Sequence, residues 1–309
     1  MVSLYFAALL IPVLQPPPQP STLPAIVWSY VPQRVFDTRQ KTFSDFESMV
    51  ADLERADVVF VGEQHDDPDT HRMELAIIEG LTRRHRPVVI AMEMFERDVQ
   101  PVVDEYVSGM SPESQFLAGT RPWPRYESDY RPIIEFARAH HLPVIASDVP
   151  RHIASDVART GSSVIDALGR DRGLAARNLQ CPPSGDYYDR FMEIMGSGHP
   201  PSGDPSGPDA AATNNRFFLA QCLKDETMGE SIANAFDKGA GRATIVHING
   251  AFHSDYGEGT AESARRRLPN RRIAIVSVVP VTDLDTVKPD DDDVKLGDYL
   301  LFTVKQGNG

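Results

Sequence analysis

The sequence predicts an α/β protein with a mostly parallel central sheet, helices on both faces and a helical insertion. Short runs rich in Val and Ile alternate with longer helical stretches, and this alternation stops between Asp148 and Arg242. Repeated strand–helix units build parallel sheets, because right-handed crossovers return each strand beside an earlier one. We therefore expect an α/β domain over residues 34–282, with the insertion at about 150–240.

Apolar runs of strand length mark six predicted strands. They lie at Asp57–Gly62, Pro87–Met92, Leu142–Ala146, Ala243–Ile248, Arg272–Val279 and Tyr299–Val304. The last belongs to a C-terminal segment, 283–309, and is a candidate edge strand. Apolar residues at helical spacing predict helices at Ser44–Arg55, Asp69–Arg84 and Pro132–His141. Inside the insertion, Gly196–Thr213 is rich in Gly, Pro and Ser, which predicts an exposed, poorly ordered loop.

The charge and the N-terminus limit the classes of function. The 309 residues carry a net charge of −13, whereas nucleic-acid binding needs a concentrated basic face, so we expect no nucleic-acid partner. Val2–Leu14 is almost entirely apolar and precedes a proline-rich run, Gln15–Pro20. This pattern is typical of a secretory signal over residues 1–20 and is too short to span a bilayer, so we expect export to the periplasm or the extracellular space. The sequence leaves open whether Cys181 and Cys222 form a disulfide.

Polar residues follow four of the predicted strands at the point where each strand ends. Glu63 and His65 come after the first strand, Glu93 after the second, Asp148 after the third and His253 after the fourth. Because the carboxyl ends of parallel strands meet at one edge of a sheet and line its ligand crevice, these side chains should lie together. We predict that Glu63, His65, Glu93 and His253 form one site.

Two chemistries suit these four residues. Two imidazoles and two carboxylates are suitable ligands for a divalent transition metal, and they could also act as general bases and acids in hydrolysis. Structural explanations compete with both: an isolated histidine is most often a hydrogen-bonded structural residue, and Gly-x-x-His also occurs at Gly196–His199 in the predicted loop. Glu93 could be the first-turn acid of a helix that starts near Phe95. The shared position after strands, more than the motif itself, favours a functional site.

Several stretches carry motifs in a characteristic order and spacing. They are Ala56–Asp66, Ala91–Phe95, Tyr130–Ala137, Ala220–Gln221 with Asp225–Met228, and Asn249–His253. Together they resemble the ChaN family of haem-binding, iron-uptake-associated proteins, part of the Tiki/TraB/erythromycin-esterase superfamily, over about Asp57–Ala274. The superfamily pattern is two Gly-x-x-His motifs with a pair of glutamates. It corresponds here to Gly62 and His65, Gly250 and His253, and Glu63 with Glu93.

This resemblance implies an exported α/β protein that binds haem and often forms a homodimer, without assigning the haem ligand to any one residue. Tiki relatives imply metal-dependent proteolysis, and the esterase branch implies hydrolysis of a lactone. Two functions are therefore expected as alternatives. One is an extracytoplasmic haem-binding protein associated with iron or haem uptake. The other is a hydrolase, with or without a metal, that uses the two Gly-x-x-His histidines and the paired glutamates.

Overall fold

An eight-stranded sheet organises the described chain. The computed structural model describes residues 30–84, 86–198, 210–239 and 241–305. In chain order the strands are β1 (Gln33–Asp37), β2 (Thr42–Ser44), β3 (Val58–Glu63), β4 (Val88–Glu96), β5 (Val144–Asp148), β6 (Thr244–Gly250), β7 (Ile273–Val281) and β8 (Tyr299–Val304). Across the sheet their order is β2-β1-β8-β7-β3-β6-β4-β5. Neighbours from β8 to β5 are parallel, and β1 is antiparallel to β2 and β8, which confirms the predicted fold class.

Helices cover both faces of the sheet. In chain order they are α1 (Phe46–Leu53), α2 (Pro68–Arg83), α3 (Gln100–Val107), α4 (Glu113–Thr120), α5 (Tyr126–Asp129), α6 (Arg131–His140), α7 (Arg151–Thr160), α8 (Ser163–Ala167), α9 (Asp186–Gly198), α10 (Ala210–Lys238) and α11 (Gly259–Arg267). Successive residues of a strand point to opposite faces. In β3, Val59 and Val61 pack into the core shared with α1 to α6, whereas Val58 and Phe60 pack with α10 and α11.

The six predicted strands all form, but the sheet extends further than the sequence indicates. The strand β8 is an interior strand rather than the expected edge strand, because it pairs with β1 on one side and β7 on the other. Strands β1 and β2 were not predicted. They are short and interrupted by polar residues such as Arg34 and Thr42, so neither contains a continuous apolar run.

Between β5 and β6 the described chain carries the helices α7 to α10, in the place of the predicted insertion, and residues 175–185 before α9 are not helical. The predicted loop Gly196–Thr213 is wrong at both ends, because residues 196–198 end α9 and residues 210–213 begin α10. The alanines at the start of α10 are the strongest helix formers, which explains that end. Residues 199–209 lie outside the described residues. Cys181 and Cys222 form a disulfide, a pairing that the sequence had left open.

The chain from Val31 onward forms one compact unit. The predicted signal segment, residues 1–20, lies outside the described residues. In the part of the chain that the structure describes, no helix combines the length and the apolar character needed to cross a membrane.

Leu301 tests the interior position of β8. Its side chain is fully buried, and its register partners are Val35 on β1 and Val278 on β7. Leu301→Ala should lower the free energy of unfolding by about 2–5 kcal/mol, because it leaves a cavity in the core. Urea denaturation measures this loss, and Val304→Ala, at the less buried end of β8, is the control with a smaller expected effect. A loss below about 1 kcal/mol for Leu301→Ala would contradict the interior position.

Candidate functional site

The four predicted site residues lie at one edge of the sheet, on or just after the neighbouring strands β3, β6 and β4. Glu63 is the last residue of β3, and its register partner on β6 is Gly250. His65 follows Glu63 by two residues, and His253 ends the 3-10 turn Ala251–His253 that directly follows β6. Glu93 lies within β4. The topology thus places both Gly-x-x-His motifs and both glutamates together.

Glu93 is a buried strand residue with protein partners on both of its oxygens. Because β4 continues to Glu96 and helical structure begins only at Arg97–Val99, the alternative that placed Glu93 in a helix first turn is wrong. Its Oε2 accepts a hydrogen bond from the Gly250 amide at 2.8 Å, and its Oε1 lies 2.9 Å from Lys224 Nζ. Burial alone would raise the pKa of Glu93, but the neighbouring cations hold it well below its usual range.

The glycines of the two Gly-x-x-His motifs allow the motifs to interlock. A Cβ on Gly62 would lie 3.0 Å from the Cα of Ala251, which directly follows the second motif's glycine. A Cβ on Gly250 would lie 2.7 Å from Nε2 of His65. Each glycine therefore makes room for the other motif, which gives the glycine–histidine pattern a steric reason at this site.

His65 is oriented by a carboxylate behind it. Its Nδ1 lies 2.5 Å from Glu63 Oε1, which also accepts a hydrogen bond of 2.8 Å from the Tyr130 hydroxyl. Burial would raise the pKa of Glu63, but hydrogen bonds from His65 and His71 lower it to about 2, so this carboxylate is ionised. The His65 side chain is 49% exposed, and from the described part of the chain no hydrogen-bond partner reaches its Nε2. With Nδ1 donating to Glu63, His65 presents the lone pair of Nε2 to an incoming ligand.

His253 is held differently, with both ring nitrogens engaged. Its Nδ1 lies 2.7 Å from Asp225 Oδ1, and its Nε2 lies 3.3 Å from Glu93 Oε1. Burial would lower the pKa of His253, but the charges of Glu93 and Asp225 raise it to about 10. Without a bound cation, His253 is consequently a buried imidazolium at neutral pH, and a metal ion would bind it only by displacing one of its two N–H protons.

Helix α10 completes the site with polar residues that the sequence did not identify as functional. Gln221, Lys224 and Asp225 occupy one face at helical spacing. Lys224 Nζ contacts Glu93 and lies 3.4 Å from Asp148 Oδ2, and Asp225 Oδ2 accepts a hydrogen bond of 2.5 Å from the Tyr187 hydroxyl. Gln221 and Asp225 lie in stretches that carry the family resemblance. However, the spacing of residues along the sequence does not indicate that α10 reaches the edge of the sheet.

A cavity of about 570 Å³ opens over these residues. Glu63, His65, Gln221, Gly250 and His253 line its polar side, while Phe191, Ile194, Phe252, Tyr256 and Leu296 are among its apolar and aromatic lining residues. A mostly apolar cavity with a few convergent polar groups is the usual form of a small-molecule or cofactor site.

The four residues gather as two pairs, Glu63 with His65 and Glu93 with His253, on either side of Gly250. Among the described residues, two other groups place three potential metal-ligand atoms within 4.8 Å of one another. One consists of Cys181, Cys222 and Glu226, whose sulfurs are already joined; the other consists of Glu63, His71 and Glu74. Metal binding by the four predicted residues together stays a prediction.

Comparison with known proteins assigns the chain to a family. The model of a family described as "Haem-binding uptake, Tiki superfamily, ChaN" matches residues 49–263. The chain belongs to the ChaN family. The solved structure "Cofacial heme binding to ChaN of Campylobacter jejuni" superimposes with a TM-score of 0.66 at 15% identity, covering 89% of this chain and 97% of that chain. This similarity supports the ChaN fold.

A curated relative matches at higher identity. It is Protein RETICULATA-RELATED 5, chloroplastic, from Arabidopsis thaliana, which is 26% identical over 243 residues. The match covers 74% of this ChaN-family chain but 32% of the Arabidopsis protein, so the chain spans about a third of that relative.

The charge on His253 predicts how stability depends on pH. Its folded pKa, about 10, lies above the ordinary value of 6.5, so this imidazolium stabilises the fold fully below pH 6.5 and the contribution is lost as pH rises towards 10. The free energy of unfolding should fall over this range, and His253→Gln should make the fall shallower by roughly 1 kcal/mol per pH unit. Urea denaturation at pH 6, 8 and 10 measures both slopes. His152→Gln, at an exposed position on α7, is the control, and equal slopes for wild type and His253→Gln would refute the charged state.

Proposed function

We propose that this chain binds haem in the cavity above His65, with Nε2 of His65 as the iron ligand. The orientation of His65 carries this proposal: Glu63 engages Nδ1 and leaves Nε2 facing the cavity side. Histidine is a common axial ligand of haem iron, and a carboxylate on its other nitrogen fixes the ring and raises its basicity. Membership of the ChaN family supports haem binding without assigning the ligand to a residue. Haem would supply a redox-active iron at this position.

The lining of the cavity fits a large, flat, mainly apolar cofactor. Its volume lies within the range of ordinary cofactor sites. Phe191, Ile194 and Phe252 supply apolar surface, and the Phe252 ring stacks on Tyr187 with centroids 4.9 Å apart. Arg190 lines the same cavity, and a guanidinium is a suitable partner for the carboxylates of haem.

The state of His253 favours hydrolysis as a second candidate function, with or without a metal. The imidazolium of His253, held between Asp225 and Glu93, could stabilise negative charge that develops on a substrate oxygen. The Glu63–His65 pair has the arrangement of a general base, in which a carboxylate orients an imidazole. In the metal-dependent form, the same two histidines and two glutamates would be the candidate ligands.

Haemin titration tests the first function. Wild type should show a saturable Soret band, and His65→Ala should weaken binding by at least about tenfold and alter the band, because the iron loses its protein ligand. His152→Ala, which removes an exposed imidazole on α7, is the matched control and should bind like wild type. Light scattering of the loaded protein would show whether it forms the homodimer that the family resemblance implies.

Two outcomes of this titration would change the assignment. Equal affinity and an unchanged spectrum for His65→Ala would refute His65 as the ligand. If wild type gives no Soret band but hydrolyses ester or lactone substrates in a His65-dependent manner, hydrolysis replaces haem binding. A chelator in the hydrolysis assay then separates the metal-dependent form from the metal-independent form.

We further propose that the protein acts outside the cytoplasm, in iron or haem uptake. The disulfide between Cys181 and Cys222 supports this, because such bonds persist mainly in oxidising compartments, and the apolar segment Val2–Leu14 supports export. Protein recovered from its native compartment and alkylated in denaturant without reductant should gain no label. The same sample alkylated after reduction is the control and should gain two labels. Two labels without reduction would contradict this proposal.

A further inference from the structure

A second polar cluster lies behind His65, in the protein interior. It consists of Glu63 at the end of β3 and of His71 and Glu74 on α2, and we name it the interior cluster. We propose that the interior cluster binds a divalent transition-metal ion such as Zn²⁺, Mn²⁺ or Fe²⁺. This metal site is distinct from the proposed haem site. The two sites have only Glu63 in common, which orients His65 in the haem site.

The spacing of the three side chains fits a common metal ion. His71 Nδ1 lies 3.3 Å from Glu63 Oε2 and 3.3 Å from Glu74 Oε2. Two atoms that bind one metal ion at about 2.1 Å with a tetrahedral angle lie about 3.4 Å apart. The two distances from His71 Nδ1 therefore already match those between neighbouring ligands of one ion. His71 and Glu74 are three residues apart and therefore share one face of α2. One imidazole with two carboxylates is a mixed ligand set that suits Zn²⁺, Mn²⁺ or Fe²⁺.

With Glu63 and Glu74 both ionised, the charges of the interior cluster are unbalanced without a further cation. Glu63, Glu74 and Asp129 are all buried, and buried carboxylates require partners. Asp129 is paired with Arg125 at 2.8 Å, which leaves His71 as a shared partner of the two glutamates. Glu63 Oε2 and Glu74 Oε1 accept no hydrogen bond from the described residues. A metal ion would satisfy Glu63 Oε2, and it would also satisfy Glu74 Oε1 if Glu74 binds the ion through both of its oxygens.

The second nitrogen of His71 is also placed as in a metal site. Nε2 lies 3.3 Å from the His65 carbonyl oxygen and 3.5 Å from Asp129 Oδ2. Metal-binding histidines usually donate their other N–H to a carbonyl or carboxylate, which fixes the tautomer and leaves a lone pair for the ion. With the proton on Nε2, the lone pair on Nδ1 points into the interior cluster.

A proton on Glu74, beside the ionised Glu63, is the competing explanation, and the two explanations predict opposite behaviour for Glu74→Gln. A glutamine amide can replace a protonated carboxyl group as a hydrogen-bond donor, so stability would be kept or increased if a proton occupies the cluster. The neutral amide is a poor replacement for a carboxylate ligand, so metal binding and the stability derived from it would be lost if an ion occupies the cluster.

Elemental analysis and thermal unfolding decide between them. Wild type and each variant are refolded from urea with Zn²⁺ or Mn²⁺, or with a chelator, and excess metal is removed. We expect about one metal ion per chain in wild type and a higher Tm than in the chelator-treated protein, because an ion that binds only the folded state stabilises it. Glu74→Gln should retain less than about a tenth of that metal and show no metal-dependent change in Tm.

His65→Ala is the matched control, because it removes the cavity-facing imidazole and leaves Glu63, His71 and Glu74 in place. It should keep its metal even if it loses haemin, so failure of the haem proposal and failure of this one are distinguishable. Loss of metal in His65→Ala would place the ion at the cavity instead and overturn the proposal. The proposal is also overturned if wild type retains no metal and its Tm does not depend on metal. This test holds even if Glu74→Gln does not fold.

Discussion

The parallel pairing of β3 with β6 is the constraint on which the rest of the site depends. In this register Gly62 lies opposite Asn249 and Glu63 opposite Gly250, so the ends of the two strands are level. The chain that follows each strand then passes close to the glycine of the other motif. A side chain at Gly62 would clash with Ala251, and a side chain at Gly250 would clash with His65. A slip of one residue between β3 and β6 would reverse the faces of the side chains and move Glu63 and His65 away from Gly250 and His253.

The two Gly-x-x-His motifs have the same sequence pattern but give their histidines different environments. His65 is half-exposed and contacts one carboxylate, so it keeps a nitrogen for a ligand. His253 is buried between two carboxylates, one of them Asp225 on the insertion helix α10, and is therefore charged. The difference arises because Asp225 of α10 reaches His253, whereas the carboxylate that contacts His65 is Glu63 at the end of β3. The insertion thus leaves the two histidines with different chemistry, a half-exposed imidazole at His65 and a buried charge at His253.

The sequence predicts those parts of the molecule that depend on local patterns. Buried strands such as β3 and β6 are evident from their Val and Ile runs, and the residues after them reach one edge because parallel topology requires it. Other features were not predicted because they depend on contacts between segments far apart in the chain. They are strand β1, the polar face of α10 and the partners of His253. For example, Asp225 meets His253 across 28 residues, a pairing that no periodic pattern in either segment records. His71 was missed because its spacing to Glu74 resembles an ordinary helical ion pair.

Helix α10 is attached to the core in ways that keep the polar side of the cavity in place. Arg266 and Arg267 of α11 pair with the buried carboxylate of Glu226, and the disulfide joins Cys222 to the segment before α9. The basic run at the end of α11 therefore serves the fold, because two of its guanidinium groups neutralise a buried charge. The site residues of α10, Gln221, Lys224 and Asp225, are neighbours of Cys222 and Glu226 in the sequence. Helix α10 therefore cannot rotate without breaking the disulfide and the ion pairs. The apolar side of the cavity is built largely from α9 and the turn after β6 instead, which makes those segments the place where ligand shape can be selected without disturbing His65 and Glu63.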